Sequence, residues 1–532
     1  METSKRADLE FGSIPGLVRE AAERYGAEAA IEDNGEVISF SDLAERVDGA
    51  AAAFMALGVA AGDRVAIWAP NAWEWIVSAL GIHSAGGVVV PVNTRFKGAE
   101  AAYILERSGA KALVTVTGFL DTDYVALLAA ANVHLPALET TIVFRGDAPE
   151  GTLAWDAFLA GGAKISQADR RVRREAVSAE NLSDIIFTSG TTGHPKGAVA
   201  THGQTLRTFG DWCATVGLAR GDRYLVVLPF FHTFGYKAGW LSCLLRGATI
   251  LPEPVFDVDV VLGRVAPDRV SVLPGPPALY QTILARADLD TFDLSTLRLA
   301  VTGAAVIPVE LIHRMRDELA FDTVITGYGL TEATGVVSMC RTGDDPETIA
   351  QTSGRAIPDV EVRIVDEAGA EVPRGEPGEI VVRGYNVTAG YYENEEATAE
   401  AIDGDGWLHT GDIGTMDERG YLRITDRLKD MYTVGGFNAY PAEIENTLLA
   451  YPGVAQVAVI GVPDTRLGQV GRAYVVPAEG AKPDPEAMVA WSRDRMANYK
   501  VPRSVVIVGA LPMNATGKVQ KFVLREEVAA DK

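Results

Sequence analysis

The chain is organised around a loop between two apolar runs, at residues 185–197: Ile185-Ile186-Phe187-Thr188-Ser189-Gly190-Thr191-Thr192-Gly193-His194-Pro195-Lys196-Gly197. The apolar run before the loop and the one after it are typical of buried strands. Glycines let backbone N–H groups approach an anion, hydroxyls add donors, and the lysine adds a compact positive charge. The loop therefore predicts a phosphate cradle formed by Thr188, Ser189, Gly190, Thr191, Thr192, Gly193 and Lys196.

Two features set this loop apart from the common P-loop. The P-loop pattern has glycine directly before its lysine, and Pro195 stands in that place here. A second strand-like run follows the loop instead of a helix, so loop amides rather than a helix dipole would hold the phosphates. A loop of this composition can also be a plain turn, and the other motifs of the chain decide between these alternatives.

Composition indicates a protein of several domains. The chain has 532 residues and is 48% hydrophobic, whereas single apolar cores stop growing near ~250–300 residues. The net charge of −23 repels nucleic acid and anionic membranes. The cysteines, Cys213, Cys243 and Cys340, are too far apart for a disulfide framework or a zinc site. Because no apolar run reaches ~18 residues and the start is polar, we expect a cytoplasmic protein without a transmembrane segment.

Periodicity predicts an α/β fold. A strand–helix–strand pattern over residues 64–90 implies a parallel sheet, and alternation after residue 350 implies an antiparallel hairpin. We predict a large N-terminal domain, residues 1–428, and a small α+β C-terminal domain, residues 429–532, joined by a charged stretch suited to a hinge. Within the first domain we predict α/β subdomains with parallel-type sheets at about 1–170 and 171–340, and a small antiparallel β-barrel at 341–428.

Local signals give three further expectations. Ser41 is placed to cap the start of a helix that ends near Gly58. Residues 163–180 are polar and charged, which is typical of a surface connection between subdomains. A helix is expected over 485–498, inside the C-terminal domain.

Three later stretches carry further functional groups. Tyr328-Gly329-Leu330-Thr331-Glu332 follows a predicted strand, and its glutamate supplies the oxygen ligands that Mg²⁺ prefers. Trp407-Leu408-His409-Thr410-Gly411-Asp412 is not a calcium loop, because Trp407 and Leu408 stand where a ligand and an invariant glycine belong. Asn514-Ala515-Thr516-Gly517-Lys518 carries a long flexible ammonium. Taken singly, each stretch can also be a helix start or a surface turn.

In this order and spacing, the loop and the three stretches resemble the motifs of the adenylate-forming superfamily. That superfamily contains acyl-CoA synthetases, peptide-synthetase adenylation domains and beetle luciferases. The resemblance covers about residues 20–525. It implies an N-terminal domain with a mobile lid and a reaction in two steps. A carboxylic acid and ATP form an acyl-adenylate and pyrophosphate, and a thiol then displaces AMP.

The resemblance also implies roles for the residues of the later motifs. Tyr328, followed by Gly329, would stack near adenine. Thr331 would bind an ATP phosphate, and Glu332 would hold Mg²⁺. Asp412 would accept hydrogen bonds from the ribose hydroxyls.

Three basic residues complete the nucleotide-side roles that the resemblance implies. Arg427 would contact the nucleotide, and Lys429 would be the hinge about which the lid rotates. Lys518 would be the catalytic lysine, since a cation there stabilises charge that shifts as a carboxylate attacks a phosphate.

On the acyl side, the same resemblance implies CoA as the thiol. Gly436 would border the pantetheine tunnel, and Gly303 with Ala304 would flank the acyl group. His232 stands in an aromatic segment that would line the acyl and thiol entrance. Lys237, in the same segment, either donates to a ring carbonyl of the substrate or is a surface charge.

A narrower resemblance concerns the acid. The stretches 230–239, 273–277, 300–305 and 428–432 are similar to those of actinobacterial synthetases that activate a propanoate left from steroid ring breakdown. A ring-bearing propanoate is therefore the expected acid, and a homodimer is possible. The alternatives are a fatty-acid or aryl-acid CoA ligase, an acyl-AMP ligase that loads a carrier protein, and a nucleotide-binding protein without catalysis.

Overall fold

The computed structural model describes residues 6–188, 195–303, 307–427, 430–434, 437–464, 467–493, 495–496, 498–513 and 519–530. The fold is α/β, as predicted, with helices packed on mixed sheets. The α-helices are Ala7–Phe11, Ile14–Tyr25, Phe40–Ala56, Trp73–Ser84, Gly98–Ser108, Tyr124–Ala130, Trp155–Gly161, Gln167–Glu175, His202–Val216, Ser242–Arg246, Val258–Val265, Pro277–Leu284, Val309–Asp317, Pro346–Gln351, Glu395–Ala401, Pro441–Leu449, Pro485–Arg493 and Lys521–Ala530. A π-helix spans Phe234–Leu241, and short 3₁₀ turns span Gly162–Lys164, Leu289–Thr291 and Thr331–Ala333.

The first sheet contains the strands on both sides of the predicted phosphate loop. Its strand order is Lys196–Thr201, Leu182–Thr188, Val88–Pro91, Arg64–Trp68, Ala112–Phe119, Thr140–Arg145 and Leu153–Ala154, with Thr122–Asp123 paired to Ala112–Phe119. The neighbours from Leu182–Thr188 to Leu153–Ala154 are parallel. Lys196–Thr201 pairs antiparallel with Leu182–Thr188 because the loop turns the chain straight back.

The second sheet consists of two sets of four strands. Val272 links them through single parallel bridges to Tyr224 and Leu299. On one side of Val272 the strand order is Glu36–Ser39, Ala29–Asp33, Thr249–Pro252 and Arg223–Val226, and on the other side it is Leu299–Gly303, Thr323–Tyr328, Ser338–Met339 and Arg355–Ala356. Its central neighbours are parallel, so Gly303 and Tyr328 end their strands at the same edge.

Each of the two large sheets contains strands from both sides of residue 170. Ala29–Asp33 pairs with Thr249–Pro252, and Val88–Pro91 pairs with Leu182–Thr188. A division into subdomains at about 1–170 and 171–340 therefore does not describe how these sheets are built. Pairing partners in parallel sheets are selected by apolar packing over long chain separations, which local periodicity does not reveal.

Two smaller sheets complete the architecture. Antiparallel strands Val360–Val365, Gly378–Gly384, Leu408–Met416 and Leu422–Arg427 form the third. The last has the order Phe437–Ala439, Tyr432–Val434, Gly468–Pro477 and Val454–Asp464, and Ser504–Ile507 pairs with Gly468–Pro477. Buried apolar residues between 432 and 524 form a core separate from that of the preceding chain. The domain boundary at 428 and 429 stays a prediction, and this separation supports it.

Several local expectations need correction. The helix predicted to begin at Ser41 is capped by Ser39, whose Oγ accepts a hydrogen bond from the Asp42 N–H at 3.0 Å, while the Asp42 carboxylate accepts the Ser39 N–H. Residues 167–175 of the expected surface connection are helical, although no side chain of that helix is buried. The helix expected over 485–498 ends at Arg493. Within the described ranges, no helix is both long and apolar enough to cross a bilayer.

Candidate active site

The predicted phosphate loop joins two strands that pair with each other. Thr188 ends one strand, Lys196 begins the next, and the two residues are partners in the antiparallel register. Lys196 Nζ lies 3.6 Å from a Glu400 carboxylate oxygen and 5.3 Å from the centroid of the Tyr391 ring. Ser189, Gly190, Thr191, Thr192 and Gly193 lie outside the described residues, so their role in the cradle stays a prediction.

The turn after Tyr328 is closed by backbone contacts. Val337 N–H donates to Tyr328 O at 2.8 Å, and Gly335 N–H donates to Leu330 O at 2.9 Å. Gly329 is required here, because a Cβ would lie 2.0 Å from the carbonyl oxygen of Gly335. The closed turn places Thr331 and Glu332 in a 3₁₀ turn directly beyond the strand end.

Glu332 is joined to the loop strand and to a residue that the sequence did not indicate. Thr188 Oγ1 donates to Glu332 Oε1 at 3.2 Å, and the Tyr391 hydroxyl donates to the same oxygen at 2.9 Å. Burial and the nearby Glu332 carboxylate raise the pKa of Tyr391, so its hydroxyl stays protonated and remains a donor. The structure thus brings together Thr188 and Glu332, two residues of separate predicted motifs.

Tyr328 and Asp412 form the second contact between motifs. The Tyr328 hydroxyl donates to Asp412 Oδ2 at 2.6 Å, and the Asp412 residue is 5% exposed. Arg427 is the register partner of Asp412 on the adjacent antiparallel strand. The nucleotide-side residues of the second and third sheets therefore meet at one edge. We call Thr188, Tyr328, Glu332, Tyr391 and Asp412 the nucleotide cluster.

Gly303 lies next to this cluster at the end of a parallel strand. It is the register partner of Gly327, which directly precedes Tyr328. A Cβ on Gly303 would lie 2.6 Å from the carbonyl oxygen of Gly327, so a side chain cannot be added without moving the strand. Ala304 lies outside the described residues.

Residues 229–241 contain the segment predicted to line the acyl entrance, and we call them the acyl segment. His232 is exposed, and its Nδ1 accepts the Phe234 N–H at 3.2 Å. The π-helix Phe234–Leu241 follows and is kinked at Gly239, whose φ of −84° and ψ of −108° are not helical. Thr233 packs against the nucleotide-side turn, since a Cβ on Gly335 would lie 2.2 Å from Thr233 Cγ2. The acyl segment and the turn after Tyr328 are therefore direct neighbours.

Lys237 is neither a surface charge nor a group open to substrate, so both predicted alternatives are wrong. Its side chain is 1% exposed, and its Nζ lies 2.8 Å from a carboxylate oxygen of Asp184, which is also 1% exposed. The ammonium also donates to Thr205 Oγ1 at 3.1 Å. Because its helical turn rotates Lys237 into the core, the pair joins the acyl segment to the strand that ends at Thr188.

Three predicted residues, Lys429, Gly436 and Lys518, lie outside the described residues, and the side chain of Arg427 does as well. Their roles stay predictions. Among the described residues no group of three or more His, Cys, Asp and Glu side chains could hold a metal ion. Glu332 alone nevertheless fits Mg²⁺, since this ion keeps several waters and takes one or two carboxylates together with substrate phosphates.

The strand-end turns, the paired strands around the predicted phosphate loop and the polar cluster between them agree with the adenylate-forming fold that the sequence motifs resemble. The chain belongs to the AMP-binding enzyme family, which it matches over residues 18–392, and it matches the family's C-terminal domain over residues 443–518. These matches confirm the resemblance found in the sequence and the predicted class, an ATP-dependent acid–thiol ligase.

The chain is similar to two bacterial enzymes over nearly its whole length. It is 50% identical over 518 residues to a protein of Rhodococcus jostii (strain RHA1), with 97% of this chain and 98% of the relative covered. It is 51% identical over 514 residues to a protein of Mycobacterium tuberculosis (strain ATCC 25618 / H37Rv), with the same coverage of 97% and 98%. Both are named 3-[(3aS,4S,7aS)-7a-methyl-1,5-dioxo-octahydro-1H-inden-4-yl]propanoyl:CoA ligase.

Among solved structures, the ATP-bound form of MatB from Rhodopseudomonas palustris is similar to this chain. The TM-score is 0.84 and the sequence identity 32%, with 97% of this chain and 99% of that chain covered. The shared fold therefore extends over the C-terminal domain as well as the body.

Proposed function

We propose that this ligase joins CoA to the propanoate side chain of a steroid-derived, ring-bearing dioxo-indane acid. The observation that carries the proposal is the identity of about half the residues, over 97% of the chain, to two enzymes named for that acid. Gly303, which is expected to flank the acyl group, agrees with it, because a Cβ there would lie 2.6 Å from the carbonyl oxygen of Gly327 and the strand end therefore carries no side chain.

The chemistry needs two displacements. A carboxylate oxygen attacks the α-phosphorus of ATP, the bond between the α-phosphorus and the α,β-bridging oxygen breaks, and pyrophosphate leaves with that electron pair. The acyl carbon now carries AMP as a leaving group. The CoA sulfur then forms the thioester bond, the bond from the acyl carbon to AMP breaks, and the thiol proton passes to solvent.

The nucleotide cluster would hold ATP for the first displacement. Asp412 would accept the ribose hydroxyls, and its bond to the Tyr328 hydroxyl would fix the tyrosine ring beside adenine. Thr331 and Lys196 would bind phosphate oxygens at the two strand ends. Glu332 would hold Mg²⁺, which when bound neutralises part of the phosphate charge.

The C-terminal domain would complete the site differently in each step. Lys518 would stabilise the charge that shifts as carboxylate meets phosphate, and rotation about Lys429 would then bring Gly436 to the thiol tunnel. Lys429→Pro should therefore impair thioester formation more than adenylation, because proline restricts φ. Equal loss in both steps would count against rotation.

The two steps can be separated by assaying ATP–pyrophosphate exchange and CoA transfer from supplied acyl-adenylate. Lys518→Ala should lower exchange by roughly 10²–10³ or more, the scale for one lost electrostatic donor, and should retain transfer. Gly436→Leu should retain exchange and lose thioester production, because any Cβ would project toward the tunnel. Loss of transfer in the lysine variant, or of exchange in a folded glycine variant, would show that these roles are assigned wrongly.

A homodimer and a cytoplasmic location stay predictions. Sedimentation of the purified chain with and without ATP would decide the first, since a dimer doubles the sedimenting mass. Neither is needed for the chemistry proposed above.

A further inference from the structure

The segment 386–392 is anchored on both sides of the nucleotide cluster. On one side, Thr388 N–H donates to Glu332 O at 2.7 Å. On the other, Tyr392 N–H donates to Gly197 O at 2.8 Å, directly after the phosphate loop. Tyr391 lies between these two anchors. Its ring position is therefore fixed relative to the strand Lys196–Thr201 and to the 3₁₀ turn at the same time.

The hydrogen bonds to Glu332 are unevenly distributed between its carboxylate oxygens. Tyr391 and Thr188 both donate to Oε1, at 2.9 and 3.2 Å. No hydrogen bond to Oε2 comes from the described part of the chain. Two donors on one oxygen fix the plane of the carboxylate and leave the second oxygen for another ligand. An oxygen held in this way suits a hard cation that demands a near-ideal geometry.

The Tyr391 ring also contacts the loop lysine. Lys196 Nζ lies 5.3 Å from the ring centroid, within the range of a cation–π interaction. The carboxylate that Lys196 approaches, Glu400, has a side chain that is 75% exposed and offers weak restraint. The tyrosine ring is therefore the better-ordered surface against which the ammonium rests.

We propose that Tyr391 is a positioning residue for MgATP, which orients the Glu332 carboxylate through its hydroxyl and supports Lys196 with its ring. This inference rests on the proposed function, since it assigns a metal-bound nucleotide to the cluster. Tyr391 itself needs no contact with the reacting atoms. Its two contacts predict two separable effects, one on the cation and one on the phosphates.

Tyr391→Phe removes the hydroxyl and keeps the ring. The Mg²⁺ concentration for half-maximal ATP–pyrophosphate exchange should rise about tenfold, the scale for one lost hydrogen bond to a charged group, and the rate at saturating Mg²⁺ should recover. Mn²⁺ binding with a non-hydrolysable ATP analogue, followed by electron paramagnetic resonance, should weaken by a similar factor. Tyr391→Leu should additionally raise the KM for ATP, because Lys196 loses its ring.

Two comparisons keep the test specific. Tyr392→Phe alters the neighbouring tyrosine, which makes no hydrogen bond to Glu332, and should leave the Mg²⁺ dependence unchanged. In a Glu332→Gln background, Tyr391→Phe should have little further effect on Mn²⁺ binding, because the carboxylate it orients is gone. If Tyr391 only supports the fold, then Tyr391→Phe should weaken Mn²⁺ binding by the same factor in the wild-type chain and in the Glu332→Gln variant.

The outcomes separate this inference from the proposed function. If the wild-type enzyme catalyses exchange, but Tyr391→Phe binds Mn²⁺ with wild-type affinity, then the inference is wrong and the ligase function stands. If the wild-type enzyme shows no exchange with any carboxylic acid, then the proposed function fails, and this inference fails with it.

Discussion

The nucleotide cluster and the acyl segment are neighbours but are built in different ways. The nucleotide cluster is polar, and most of its side chains are partly exposed and joined by hydrogen bonds between distant segments. The acyl segment is largely core. The rings of Phe230, Tyr236 and Trp240 lie 5.5, 5.6 and 5.9 Å from that of Trp75, and all are buried.

This difference predicts how the nucleotide cluster and the acyl segment respond to substitution. A partly exposed functional group contributes to chemistry and little to folding, so its loss should lower activity in a stable protein. A residue of the acyl segment contributes to both, so its loss should lower stability as well. The predictions that follow test this distinction in order of decreasing expected effect.

The buried pair behind the acyl segment should show the largest change. Lys237→Met leaves the Asp184 carboxylate buried and uncompensated, which should lower the free energy of unfolding by about 3–5 kcal/mol. The double variant Asp184→Leu with Lys237→Met should recover most of that loss, since a well-packed apolar pair can replace a buried ion pair. Denaturant titration followed by circular dichroism measures both.

An exposed ion pair provides the control for this result. Arg19 and Glu23 lie 3.9 Å apart, with side chains 58% and 65% exposed. Arg19→Met should change the free energy of unfolding by less than about 1 kcal/mol. If the double variant of the buried pair is no more stable than Lys237→Met, then packing rather than an unpaired charge is responsible.

On the nucleotide side, Glu332→Gln should separate activity from stability. ATP–pyrophosphate exchange should fall by roughly 10²–10³, because the neutral amide cannot balance the cation that the carboxylate would hold. The free energy of unfolding should change by only about 0.5 kcal/mol, as for other sites outside the core. Glu396→Gln, an exposed carboxylate on the neighbouring helix, should change neither quantity. If Glu332→Gln lowers the free energy of unfolding as strongly as it lowers exchange, then the nucleotide cluster and the acyl segment do not differ in the way described.

The last prediction, whose effect per residue is smaller than that of the lysine and the glutamate, concerns pH and the buried histidines behind the acyl segment. Burial lowers the pKa of His202 to about 3, and it lowers the pKa of His83 well below its usual value of 6.5. Both therefore stay neutral in the folded protein while the unfolded chain takes up protons below pH 6.5. Stability should be complete above that pH and fall as pH decreases, by about 1.4 kcal/mol per unit for each histidine.

The window from pH 6.5 to 5 tests this effect, because most carboxylates are still ionised there. The free energy of unfolding should decrease steadily over the window in the wild-type chain. His202→Asn should reduce the slope, and the exposed His134→Asn should not alter it. A flat profile in the wild-type chain would mean that these histidines become protonated in the folded protein.

The same distinction explains how much could be predicted from the sequence. Tyr328, Glu332 and Asp412 belong to short motifs, so the sequence alone singles them out, and the structure joins Tyr328 to Asp412 and Glu332 to the strand before the loop. Their roles toward the nucleotide stay predictions. Tyr391 is separated from Glu332 by 59 positions, and only the fold makes them contact. No spacing rule connects such residues. The one local signal is that Tyr391 follows Gly390 a few residues after the hairpin of Val360–Val365 and Gly378–Gly384, a place where a loop residue could serve the site.

The acyl side was harder to predict because its residues serve the core. Lys237 was expected at the surface or at the substrate, since lysine is almost never fully buried unless it is paired. Its partner, Asp184, precedes the phosphate loop and carries no motif of its own. The sequence also did not show that each large sheet combines strands from before and after residue 170. Pairing between distant strands decides this, and local periodicity does not reveal it.

The central claim is that this chain makes a CoA thioester from a ring-bearing acid through an adenylate. The most direct test is to incubate the purified chain with ATP, Mg²⁺ and CoA, and with either the steroid-derived propanoate or palmitate, and to measure thioester and AMP by mass spectrometry. We predict the propanoyl-CoA thioester with an equal amount of AMP, and a kcat/KM that exceeds the palmitate value by about tenfold or more. Release of ADP, absence of a thioester, or a preference for palmitate would contradict the account.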